Sequence, residues 1–218
     1  MSTLLTPTVA WHASNGDAGQ PLVVLLHGRG SRETEIIGLA DYLPREASYV
    51  AVRAPIAEGP GYAWFANRGI GRPLAESLAE NMDWFRTWLD ESAQPGRPVL
   101  LIGFSGGAAF AGGLILDDPS RFAGAAILHG TLPFDAGVPT TPGRLKDKPV
   151  LVAQSDGDRV IPAELLARTW DYLTGESEAR ATTNRSTGGH SIDSSDVKAL
   201  AAWITDVVGQ PAAPEKEV

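Results

Sequence analysis

The run VLLIGFSGGAAF, from Val99 to Phe110, decides how this chain is read. Its first residues are an apolar stretch of strand length, and its last are small residues compatible with a helix. Between them, Gly103-Phe104-Ser105-Gly106-Gly107 fits G-x-S-x-G, the pattern of a serine held on a sharp strand-to-helix turn. Small neighbours let the backbone turn tightly enough to expose the hydroxyl, and the N-terminus of the following helix presents free N–H groups to developing negative charge. A chain with 24 glycines can produce such a pentapeptide by chance. The strand before it and the helix after it therefore carry the reading, and Ser105 is a candidate nucleophile.

Outward from this run, strand-length apolar segments alternate with longer segments of helical period. Strands are expected at PLVVLLHG (21–28), SYVAVRAP (48–55), FAGAAILHG (122–130) and PVLVAQ (149–154), with a polar one in SEARATTNR (177–185). Helices are expected over 33–43, 73–89, 106–116, 162–173 and 194–208. This alternation predicts an α/β fold, a three-layer α/β/α sandwich around a mostly parallel sheet. Residues 1–209 are expected to form one domain without a large cap, and 210–218 a disordered tail with nothing to bury.

With 218 residues, 43% of them hydrophobic, the chain can build a substantial core. A net charge of −8 without clustered Lys or Arg argues against nucleic acid and anionic membranes as partners. No cysteine is present, which removes disulfides and thiolate chemistry. No apolar window is long enough to span a bilayer, and the N-terminus lacks the basic and apolar regions of a signal peptide. No membrane insertion and a cytoplasmic location are the expectations.

A serine hydroxyl needs a base to take its proton. The chain has four histidines: His12 before the first core strand, His27 and His129 at strand ends, and His190 in the loop STGGHSID. In the order nucleophile, acid, base, only His190 lies far enough downstream. His129 is expected to be packed or hydrogen-bonded, at most a wall of the pocket. The acid that orients the imidazole belongs on a strand-end loop between Ser105 and His190, and QSDGDRVIP supplies Asp156 and Asp158. Composition does not separate them, since either can serve as an Asx-turn or helix cap.

Two amides are expected to face the oxyanion: Gly106, directly after the nucleophile, and Arg29 in the earlier strand-end loop HGRGS. The aromatic loop GPGYAWFANRG places Tyr62, Trp64 and Phe65 as lid or pocket-wall candidates, burial in a satellite core being the alternative. Phe104 beside the nucleophile and Leu132 and Phe134 after LHG complete the expected pocket.

In LLHGRG, GFSGG, DGDRVIP and GGHSI, occurring in that order, the chain resembles the α/β-hydrolase superfamily. The closer resemblance is to its phospholipase/carboxylesterase group, which includes acyl-protein thioesterases and dienelactone-hydrolase-like enzymes. The likeness runs from about Pro21 to Val208. It implies Ser105 as nucleophile, Asp158 as acid and His190 as base, with no cofactor and no metal. It also implies a small-molecule ester or thioester as substrate; the modest apolar pocket expected from these residues suggests short to medium acyl chains, and a monomer or homodimer is the expectation. Gln154 stands where the group often has a histidine, and the missing cysteine removes any implication of lactone specificity. A binding protein without chemistry, a serine peptidase and an acyltransferase are the alternative functions.

Overall fold

The computed structural model describes residues 6–12 and 19–209, so the expectation for the 210–218 tail lies outside the described residues. Strand β2 (Leu22–Leu26) is apolar at every position and wholly buried, as befits a strand covered on both faces. Its side chains alternate between two cores. Leu22, Val24 and Leu26 pack on one face of the sheet with Val99 and Leu101, while Val23 and Leu25 pack on the other with Leu100 and Ile102. Full burial of each such side chain is worth about 1.5–3 kcal/mol before entropy is charged against it.

The remaining elements are β1 (Val9–Trp11), α1 (Glu33–Ile36), β3 (Ser48–Val52), β4 (Ile56–Glu58), β5 (Gly61–Ala63), α2 (Ala75–Ser92), β6 (Val99–Phe104) and α3 (Gly106–Asp117), then β7 (Gly124–Leu128), β8 (Pro149–Ser155), α4 (Ala163–Asp171), β9 (Arg180–Ser186) and α5 (Ser194–Gly209). They follow the expected alternation except for the short strands β1, β4 and β5, which it does not include. Seven strands form one sheet in the order β1-β3-β2-β6-β7-β8-β9, in which only β1 is antiparallel. Residues of α2 and α3 complete the first core, including Phe85 and Phe110, and α5 covers the second with Leu200, Trp203 and Ile204. The three-layer α/β/α arrangement is as expected.

Two expectations need correction. The helix over 33–43 is α-helical only to Ile36 and tightens into a 3-10 turn over Ile37–Tyr42, a run that contains the poor helix former Gly38. The aromatic stretch after β3 is not simply a loop, because β4 and β5 pair as a hairpin, Ile56 opposite Ala63.

Strand order reverses beside β2: the chain steps from β2 to β3 on one side, then crosses back to β6 on the other. Ligands of such sheets sit outside the strand carboxyl ends at this switch point. The register aligns Leu26 with Gly103 and Phe104 with Leu128, which brings the ends of β2, β6 and β7 side by side.

Candidate active site

Ser105 occupies the turn between β6 and α3 with φ 55° and ψ −114°, a left-handed conformation costly for a residue with a Cβ. Close backbone packing makes the turn possible. A Cβ on Gly103 would lie 2.2 Å from the Gly107 carbonyl oxygen, and one on Gly107 would lie 2.1 Å from that of Leu26. The Ser105 amide donates to the Leu128 carbonyl at 2.9 Å, tying the turn to β7.

His190 reaches this serine from the loop before α5. Its Nε2 lies 2.8 Å from Ser105 Oγ and its Nδ1 lies 2.8 Å from Asp158 Oδ2. The other carboxylate oxygen, Oδ1, accepts from the amides of Val160 at 2.8 Å and Ile161 at 3.0 Å. Burial alone would raise the Asp158 carboxyl, but the bonds from His190 and these two amides outweigh it and hold the group below the ordinary carboxylate range. An ionised Asp158 can only accept, so the proton sits on His190 Nδ1 and leaves Nε2 free to accept from the serine hydroxyl. Asp156, the other acid of the loop, points away and pairs with Arg185 at 3.0 Å.

The oxyanion expectation concerns Arg29 and Gly106, and the two lie together. A Cβ on Gly106 would sit 3.3 Å from the Arg29 amide nitrogen. Gly106 opens α3, where the first amides have no intrahelical acceptor. His27 holds the Arg29 loop from behind. Its Nε2 accepts from the Ala54 amide at 3.1 Å, so its Nδ1 must carry the proton donated to the Gly28 carbonyl at 2.8 Å. Burial draws the His27 pKa down, against the raising effects of Gly28 and of Glu33 and Glu35. The ring is thereby kept neutral.

A cavity of about 510 Å³ opens over Ser105 and His190. Of the pocket candidates, Trp64, Phe65 and Leu132 line it, while Tyr62, Phe104 and Phe134 do not. Tyr62 instead lies under the Arg53 guanidinium, Phe104 packs between the rings of His129 and His190, and Phe134 carries the Arg168 guanidinium on its face. Trp64 is no movable lid. It is 1% exposed, stacks on Phe110 at 4.6 Å and donates to the His27 carbonyl at 2.7 Å. Of the other residues that line the cavity, Ile70 and Val160 stay nearly half exposed.

Three acids were not anticipated. Glu58 lines the cavity and pairs with the Arg29 side chain. Asp193 and Asp196 fasten the His190 loop to α5: Asp193 Oδ1 accepts from the amides of Ser195 at 2.7 Å and Asp196 at 3.1 Å. Bonds from the Ser195 hydroxyl and from the amides of Asp196 and Ser195 pull the Asp193 carboxyl down to about 2. The Asp-Ser-Ser-Asp run at 193–196 is a helix-start signal that could have pointed to both residues. Asp196 is wholly buried and meets His129 Nε2 at 2.7 Å, so His129 is packed and bonded rather than a wall of the cavity. Gln154, where the group that the sequence resembles often has a histidine, donates to the Leu166 carbonyl at 2.8 Å and so fastens β8 to α4.

Comparison with known proteins agrees with this architecture. A carboxylesterase of Bacillus cereus superposes with a TM-score of 0.80 at 23% identity, over 92% of this chain and 94% of the other. A carboxylesterase from Mesorhizobium loti does so with a TM-score of 0.80 at 24% identity, over 93% and 96%. MhqD of Bacillus subtilis strain 168, provisionally named a hydrolase, is 23% identical over 193 residues, 86% of this chain and 94% of its own. The pattern of the phospholipase/carboxylesterase family matches residues 10–208, almost the whole described sheet and its helices, and this chain belongs to that family of α/β-hydrolases.

Proposed function

We propose that this ester hydrolase works through a Ser105, His190, Asp158 triad and an acyl-enzyme, on carboxylic esters of short to medium acyl chain and, by the same chemistry, on thioesters. The observation that carries the reading is the continuous relay from Ser105 Oγ through His190 to Asp158, each link 2.8 Å long, with Ser105 and His190 lining a cavity.

In the first half-reaction His190 Nε2 takes the Ser105 proton as Oγ attacks the substrate carbonyl carbon. The carbonyl electron pair moves onto oxygen, facing the Arg29 and Gly106 amides, each such donor being worth about 3–4 kcal/mol in the transition state. The tetrahedral adduct then collapses, and His190 passes the proton to the departing alcohol or thiol. Water follows the same path: His190 removes its proton, its oxygen attacks the acyl carbon, and Ser105 recovers the proton as the acid leaves. Asp158 stays ionised throughout and holds the tautomer. A cavity of about 510 Å³ lies within the range that encloses small ligands.

Labelling with a fluorophosphonate, together with hydrolysis of p-nitrophenyl esters from acetate to palmitate, tests the proposal. The expected result is labelling that Ser105→Ala abolishes and a rate maximum at short or medium chains. Wild-type protein that resists the reagent and cleaves none of the esters would reject it.

A further inference from the structure

The loop that carries the Arg29 amide also sends a charged side chain along the cavity wall. Arg29 Nε donates to Glu58 Oε1 at 2.5 Å, a terminal nitrogen meets Glu58 Oε2, and the other donates to the Phe65 carbonyl at 3.3 Å. Two N–H groups thus face two carboxylate oxygens in the fork geometry by which arginine binds carboxylates. The side chains are 35% and 39% exposed, so the pair contributes little to stability. Its consequence is for the charge of the cavity. Among the described residues that line it, the ionisable ones are Arg29, Glu58 and His190, and His190 must be neutral to act as a base.

We propose that Glu58 makes the site selective for uncharged esters, by filling the one guanidinium that would otherwise bind a substrate carboxylate. This inference rests on the ester-hydrolase reading and adds the electrostatic class of the substrate. An ester bearing a free carboxylate meets a fork already occupied and a second negative charge beside it. An ester bearing an ammonium group meets a carboxylate already occupied and the guanidinium beside it. Either must break a bidentate pair to form a similar one, and must also shed its own hydration. A neutral ester leaves the pair intact.

The hairpin cannot easily carry Glu58 away. Gly30 N–H donates to the Tyr62 carbonyl at 2.9 Å and Tyr62 N–H to the Ser31 carbonyl at 3.0 Å. The contact is so close that a Cβ on Gly61 would lie 2.0 Å from the Gly30 carbonyl oxygen.

The test compares kcat/KM for p-nitrophenyl butyrate and p-nitrophenyl hemisuccinate in the wild type, in Glu58→Gln and in Glu58→Gln/Arg29→Met, which keeps the backbone amide. The wild type is expected to favour butyrate. The hemisuccinate-to-butyrate ratio should rise about fivefold in Glu58→Gln, the upper worth of a solvent-exposed charge pair, and return in the double variant. Added salt should shrink the gain. A wild type that prefers hemisuccinate, an unchanged ratio in Glu58→Gln, or a gain that survives loss of the Arg29 side chain overturns the proposal. Binding of the two esters to the same forms carrying Ser105→Ala reads the selectivity without turnover. Failure of the wild type to hydrolyse either ester would count against the hydrolytic reading, while the binding ratio would still decide the role of Glu58.

Discussion

Replacing Asp196 with Asn should destabilise the fold by about 3 kcal/mol, although only one oxygen becomes nitrogen. Asp196 Oδ1 accepts from Asn184 Nδ2 at 2.8 Å, while Oδ2 accepts from His129 Nε2 at 2.7 Å and from the Asp193 amide at 3.0 Å. The side chains of Asp196 and His129 are both 0% exposed. With Asn at 196, an NH2 group must face either the Asn184 amide or the two donors from His129 and Asp193. The first arrangement leaves one donor opposed and the second leaves more. One unsatisfied buried donor costs about 1–3 kcal/mol, and the bonds to a charged acceptor that are lost add a similar amount. Urea unfolding at pH 7.5 measures the change, seen as a lower midpoint with an unaltered m-value.

The pH dependence supplies a second check on that substitution. Burial raises the Asp196 carboxyl, but the bonds from His129, the Asp193 amide and Asn184 prevail and hold it below its ordinary value. A carboxyl depressed on folding contributes stability above its unfolded pKa, and that contribution is lost as pH falls through the folded one. The gap between wild type and Asp196→Asn should therefore close on acidification below about pH 4. A difference under about 0.5 kcal/mol at pH 7.5, or one that widens with acid, would refute the reasoning about this pair.

Asp158→Asn should lower kcat by about 10³–10⁴, because the amide no longer selects the His190 tautomer. Asp156→Asn should change kcat less than about threefold, since that carboxylate pairs with exposed Arg185. The reverse ranking in steady-state assays would reassign the acid. His27, whose pKa is drawn down on folding, makes the wild type lose stability as pH drops below about 6.5, where the unfolded chain takes up the proton first. Thermal melts of His27→Gln between pH 7.5 and 5 should show a shallower decline than wild type, and parallel curves would count against the neutral, buried ring. Gly107→Ala should cost at least about 3 kcal/mol in urea midpoint or prevent soluble expression, because the added methyl meets the Leu26 carbonyl rather than a side chain that can yield.

Much of the architecture was legible because it follows from local pattern. Apolar runs such as Leu22–Leu26 and Val99–Phe104 can be buried on both faces only in a covered parallel sheet, and the amphipathic segments between them supply the covers. The pattern over 33–43 does not show that the α-helix ends at Ile36, since where an α-helix tightens depends on its packing partners as much as on its own residues. The aromatic stretch showed the same limit. Nothing in GPGYAWFANRG separates an exposed lid from a hairpin whose Trp64 is anchored by the His27 carbonyl and the Phe110 ring, 37 and 46 positions away.

For the site, the chain by itself determined the kinds of residue and their order: a serine on a glycine turn, an acid loop after it, and one histidine beyond that loop. It did not separate Asp156 from Asp158 without the family resemblance, because both lie on the same turn and differ only in where the backbone aims them. The fold places the two differently, Asp158 buried against His190 and Asp156 paired with Arg185. It alone placed Glu58 against Arg29, 29 residues apart, and Asp196 against His129, 67 residues apart. Such pairings depend on which strand ends the sheet order makes neighbours, and that order is a property of the packed layers rather than of any single segment.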